Sequence, residues 1–137
     1  MTEINKEFIE ERVEDWRQRL NFIFSLVKNA LKNEVGIQFH DDKTVVMNEE
    51  LMQKYDVMAI ELPILEVKRS NELLASFKPK GLWVIGANGR IDILTAKGSY
   101  ILVDLAGKEE PSNWQVYTPQ NRKKSISFNE QFIKDLF

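Results

Sequence analysis

Residues 81–106 read GLWVIGANGRIDILTAKGSYILVDLA, and the reading of this stretch decides the fold. Three short runs, Gly81–Gly86, Ile91–Thr95 and Tyr100–Ala106, are rich in β-branched and aromatic residues, which fit a pleated, half-buried surface. Two turn signals separate them. Asn88-Gly89 is a strong hairpin signal, because a type I′ turn needs positive φ at both central residues. Gly98 supplies the left-handed position of the second turn without steric cost. The expectation is a three-stranded antiparallel meander.

Working outward, a meander with one apolar face needs a cover, and the amino-terminal third provides it. From about Asn5 to Asn33 the apolar residues Ile9, Val13, Trp16, Leu20, Ile23, Val27 and Ala30 recur at steps of four and three, which places them on one face of a helix. Neither Gly nor Pro interrupts the run, and Gly36 is placed to end it. Asp15 and Arg19 stand four apart in the favourable order. At 1.5 Å per residue the helix is ~40 Å long. Its second half is apolar nearly all round, which offers Trp16, Phe22, Phe24 and Leu26 as a partner-binding surface. The competing reading is burial on two sides. A homodimer through the same helix is a further expectation, since its heptad-like periods suffice for a seam.

Between helix and meander, Ile37–His40 and Thr44–Met47 read as a hairpin, with Asp41-Asp42-Lys43 as a solvated turn. Asn48 is placed to cap a short helix through Lys54. Val57–Arg69 reads as extended, but its apolar phase shifts beside Pro63, which suggests a bulge or an edge strand. Asn71–Phe77 reads as a strand, and Lys78-Pro79-Lys80-Gly81 as a turn. Beyond the meander, Gly107–Asn113 is a loop, Trp114–Thr118 a strand and Gln120–Ser125 a polar, basic connection. Ser127 and Glu130 form a capping box for a final short helix carrying Phe132, Ile133 and Leu136.

The totals narrow the function. The chain has 137 residues, net charge −2, no cysteine and one histidine, His40. One domain, residues 1–137, is expected from that length. Near-neutral charge makes nucleic acid an unlikely partner. Absence of cysteine excludes thiolate metal sites and fits a reducing compartment. No apolar run of 18 residues and no signal-peptide pattern is present, so no membrane partner and a cytoplasmic location are expected. No cofactor or metal motif is read: Gly86-Ala87-Asn88-Gly89 lacks both the Gly-x-Gly-x-x-Gly spacing and a following helix.

Two acidic patterns resemble fragments of the restriction-endonuclease-like nucleases. Gly89-Arg90-Ile91-Asp92 is followed by Val103-Asp104-Leu105, and Glu66-Val67-Lys68 has Asp56 upstream. That resemblance implies a divalent metal held by Asp92 and Asp104, or by Asp56 and Glu66 with Lys68 beside the phosphate. After Asp104 the lysine position is Ala106, and Lys108 falls out of step. The expectation adopted is an α+β fold, a long N-terminal helix on a mainly antiparallel sheet of about five to seven strands, closed by a short C-terminal helix. Its expected role is a non-catalytic protein-interaction module, an adaptor, antitoxin or immunity-type regulator, with the metal-dependent nuclease as the alternative.

Overall fold

The computed structural model describes residues 4–107 and 110–137. Lys108 and the polar Thr2 and Glu3 lie outside the described residues. The fold is α+β: a long amino-terminal helix, a seven-stranded antiparallel sheet and a short carboxy-terminal helix.

Helix α1 spans Lys6–Leu31. Asn5 caps it, its side chain accepting a hydrogen bond from the Phe8 N–H at 2.9 Å. Capping relieves one of the orphan donors of the first turn. The seam read from the sequence is buried along its whole length, from Ile9 to Ala30, together with Phe24 and Leu31. Helix α3, Glu130–Leu136, packs on α1 and adds Ile133 and Leu136 to the same core. Its cap is Asn129, whose side chain takes the Phe132 N–H at 2.9 Å. The capping box anchored at Ser127 is therefore corrected: strand β9, Asn121–Ser127, runs through Ser127, whose backbone is committed to pairing. The basic segment read as a connection is that strand.

The main sheet has the order β1-β4-β5-β6-β7-β8-β9, with every pairing antiparallel. Its other strands are β1 Ile37–His40, β4 Leu65–Arg69, β5 Glu72–Gly81, β6 Arg90–Thr95, β7 Gly98–Asp104 and β8 Trp114–Thr118. Ala75, Phe77, Ile91, Ile93, Tyr100, Leu102 and Val116 point to the helices and are buried. Alternation sends Lys78, Asp92, Leu94 and Ile101 to the opposite face.

Three local expectations give way to pairing. The first concerns Ile37–His40 and Thr44–Met47, which do not pair with each other. Strand β2, Thr44–Met47, pairs with β3, Ile60–Pro63, while β1 pairs with β4. Residues 37–47 and 60–69 thus form one bent ribbon, tipped by helix α2, Glu50–Lys54. Asp41–Lys43 and Ile64 are its bend, and the phase shift beside Pro63 marks the change of sheet. Bending lets the far half of the ribbon bury Met47 and Leu62 in the core while the near half extends the main sheet. Second, Lys78 and Pro79 continue β5 instead of turning. Proline has no N–H to give to a ladder, and the register shifts between Pro79 and Gly81, where such a residue is tolerated. Third, Gly81–Gly86 is not a strand and Asn88-Gly89 is not a hairpin turn. The β5–β6 connection, residues 82–89, folds into its own turn, with Val84 bridged to Ala87 and Gly86 at φ +80°. The β6–β7 hairpin and its turn before Gly98, at φ +127°, form as read.

Candidate interaction site

One side of α1 carries a line of residues one step away from the buried seam. Phe8, Arg12, Asp15 and Arg19 follow the same four–three–four spacing, shifted by one from Ile9, Val13, Trp16 and Leu20. The line therefore runs along the border of the core, half in water. It meets the 82–89 connection and the end of β7.

Asp104 is the deepest charge there, with no exposed surface. It lies three positions beyond Ile101, the partner of Asp92, so it points to the helix side. Its Oδ2 accepts from Arg19 Nη1 at 3.1 Å. Its Oδ1 accepts from the backbone N–H of Ala106 at 3.0 Å and of Asn113 at 2.8 Å. A carboxylate removed from water needs this degree of compensation. Asp15 joins the two arginines: its Oδ2 accepts from Arg19 Nε at 2.8 Å and Arg12 Nη1 at 3.3 Å. Both arginines also hold the connection, Arg12 through the Asn88 side chain and Arg19 through the Asn88 carbonyl. Asn88 N–H in turn donates to the Asp104 carbonyl at 2.7 Å. Burial disfavours the charged form of Arg12, and Arg19 adds repulsion, while Asp15 and Asp104 oppose both.

Gly89 explains itself at this point. A Cβ there would stand 2.4 Å from the Trp16 ring, and its φ is +122°. The backbone crosses the indole face closely enough that only glycine fits. Trp16 is enclosed further by Trp114, with ring centroids 6.3 Å apart, and by the Arg19 guanidinium 5.2 Å from its centroid. The other end of the connection is pinned by Glu49. Its carboxylate accepts from the Leu82 N–H at 2.9 Å and the Trp83 N–H at 3.2 Å. Glu49, rather than Asn48, is the residue before α2, and its side chain caps the connection instead of the helix.

Held at both ends, the connection presents Ile85 at the apex of its turn, fully exposed. Beside it lies a depression of about 350 Å³ lined by Phe8, Arg12, Trp83, Gly86, Ala87, Asn88, Leu105 and Ala106. A second, polar depression of about 250 Å³ lies across Arg12 and Asn88, and includes Asp15, Arg19, Asp104 and Glu110.

The residues singled out from the sequence distribute differently. Trp16 and Phe24 are buried in the core, and Leu26 packs partly against it, so Phe22, 60% exposed, is what that set presents to solvent. The helix face read as a dimer seam is used inside the molecule, because the sheet and α3 cover it. Asp92 and Asp104 point to opposite faces of the sheet, which removes the first nuclease pair. Asp92 is bonded instead to Arg90 Nε at 2.7 Å on its own strand. Asp56 lines a hollow against the amino-terminal half of α1, whereas Glu66 and Lys68 alternate with the buried Leu65 and Val67 and face away from the core. Glu66, 7% exposed, is paired with Lys43 Nζ at 3.3 Å. The second pair is therefore also divided between the two sides of the sheet. Among the described residues no group of three or more His, Asp or Glu side chains is arranged to hold a metal ion. Among the described residues no helix is long and apolar enough to cross a membrane. No family model, curated protein or solved structure matches the chain.

The signal for this site was present in α1, as two arginines at seam spacing and one step out of phase. Glu49 carried none, since its partners lie 33 and 34 positions away.

Proposed function

We propose that the chain is a non-catalytic protein-interaction module, and that it engages its partner with the 82–89 turn and the adjoining start of α1. The observation that carries this reading is Ile85. A loop anchored by Glu49, Arg12 and Arg19 gains nothing in stability from an aliphatic side chain held wholly in water. The same anchors make the turn a pre-organised surface, which lowers the entropic cost of association. Trp83 and Arg12 around it are residue types that concentrate binding energy at interfaces. An adaptor, antitoxin or immunity-type role in the cytoplasm suits a chain without cysteine in which, among the described residues, no cluster of His, Asp or Glu is arranged to hold a metal.

The test is quantitative capture of the tagged chain's partners from native cell extract, comparing wild type with Ile85→Asp and Leu94→Asp. Leu94 is an exposed apolar residue on the opposite face of the sheet. A stoichiometric protein retained by wild type and Leu94→Asp but lost by Ile85→Asp is the expected result. Loss with Leu94→Asp alone transfers the interface to the open sheet face. Equal retention by all three variants refutes the assignment to the turn.

A further inference from the structure

The apolar depression beside Ile85 has one ionisable group among its described lining residues, Arg12. Phe8, Trp83 and Leu105 are the large apolar residues of its wall. Arg12 makes two side-chain bonds, to Asp15 and to Asn88, and these use two of the five N–H donors of a guanidinium. Across the polar depression its acidic neighbours are Asp15, Asp104 and Glu110, and Glu110 accepts from the Gly107 N–H. Asp15 is shared with Arg19, and Asp104 is committed to Arg19 and two backbone N–H groups. Among the described residues no acidic side chain lines the apolar depression. Arg12 has its anion, Asp15, outside this recess, and its three remaining N–H donors leave the recess complementary to an apolar ligand that brings a carboxylate.

We infer that this depression receives a carboxylate flanked by an apolar group, presented by the protein partner as an acidic side chain next to an aliphatic or aromatic one. The inference rests on the interaction reading above and names the chemistry that the partner must carry. The planar fork of Arg12 takes the carboxylate, and the Phe8–Trp83–Leu105 wall takes the apolar neighbour. The cost of burying Arg12, which its own neighbours do not fully offset, is reduced when the carboxylate arrives.

The full chain, labelled with ¹⁵N, is titrated with 3-phenylpropionate and separately with its uncharged analogue 3-phenylpropanamide. Saturable shifts at the amides of Trp83, Ala87 and Leu105 are expected for the carboxylate, with the amide weaker by about tenfold. Arg12→Gln removes that preference, and Arg12→Lys, which keeps charge but loses the fork, restores part of it. Arg12 also holds Asn88, so wild-type spectral dispersion of these variants is a condition of the comparison. Leu105→Gln, which leaves the guanidinium in place, weakens both probes alike. Equal affinity for carboxylate and amide, shifts centred elsewhere, or a preference that survives Arg12→Gln overturns the inference. If the preference is absent while Ile85→Asp still releases a partner, the carboxylate chemistry fails and the interaction reading stands. If the preference is present while wild type captures no partner, the interaction reading fails, and with it the assignment of the ligand to a protein.

Discussion

The base and the apex of the 82–89 connection are a few residues apart and obey opposite rules. At the base, polar groups are tied across elements: Glu49 meets Leu82 and Trp83, Arg12 and Arg19 meet Asn88, and Asp104 bonds the residues that follow and the helix above. Gly89 lets the backbone pass over Trp16 without a gap. At the apex, Ile85 is fully exposed. The difference separates what holds the molecule together from what it offers. Substitutions at the base should act on stability, and substitutions at the apex on association alone.

The sharpest way to break this contrast is Asp104→Ala. It strands Arg19 in a buried position and orphans two backbone donors, and should cost about 3–5 kcal/mol in urea unfolding. A loss below about 1 kcal/mol would mean that water replaces the carboxylate and that the base is less tightly built than its geometry implies. Next is Gly89→Ala, where the added methyl meets the Trp16 ring and the backbone sits at positive φ. The expected loss is about 2–3 kcal/mol, read as a lower urea midpoint at unchanged slope. Glu49→Gln keeps the shape but weakens two charge-assisted bonds to Leu82 and Trp83. It should cost about 1–2 kcal/mol and accelerate amide exchange in the connection more than in β6 and β7. Smallest in stability is Ile85→Asp, expected within about 0.5 kcal/mol of wild type while partner retention falls by tenfold or more. Phe22→Ser sharpens the same contrast on α1. It too should stay within about 0.5 kcal/mol, and it should leave retention unchanged if the turn is the interface. Release of the partner by Phe22→Ser would instead return the interface to the helix.

Much of the architecture was legible because it is carried by short-range periodicity. The α1 seam, the β6–β7 hairpin, β8 and the final helix all repeat on a scale of two to four residues, and each formed where the pattern placed it. The errors share one cause. Ile37–His40 and Thr44–Met47 look like hairpin arms because polar turn residues lie between them, yet the same residues serve as a bend once each arm has a better partner in β4 and β3. Asn88-Gly89 carries the signature of a tight turn, but the glycine is required by Trp16, 73 positions earlier in the chain. Lys78-Pro79 looks like a turn until a bulge accommodates the proline within β5.

The candidate site was less legible than the fold. Asp92 and Asp104 look like a pair in sequence, but the register of β6 against β7 sends them to opposite faces, because side chains alternate and the separation between them is of the wrong parity. Arg12 does not stand out in the sequence and Arg19 reads there only as the partner of Asp15, because charged residues at the border of an amphipathic helix are common. What distinguishes them is the Asn88 and Asp104 groups that the sheet brings beneath the helix.

The sequence alone determined the helix and its buried face, the antiparallel character of the sheet and the chemistry it lacks: no thiolate, one imidazole and no charge excess. These follow from local backbone preference and from the need to bury apolar stripes, which act between near neighbours. Tertiary structure decided which strands pair, where the ribbon changes sheets, which carboxylate is buried and which side chains remain in water. Those outcomes depend on groups far apart in sequence satisfying one another, and a buried polar atom accepts whichever partner the packed chain delivers to it.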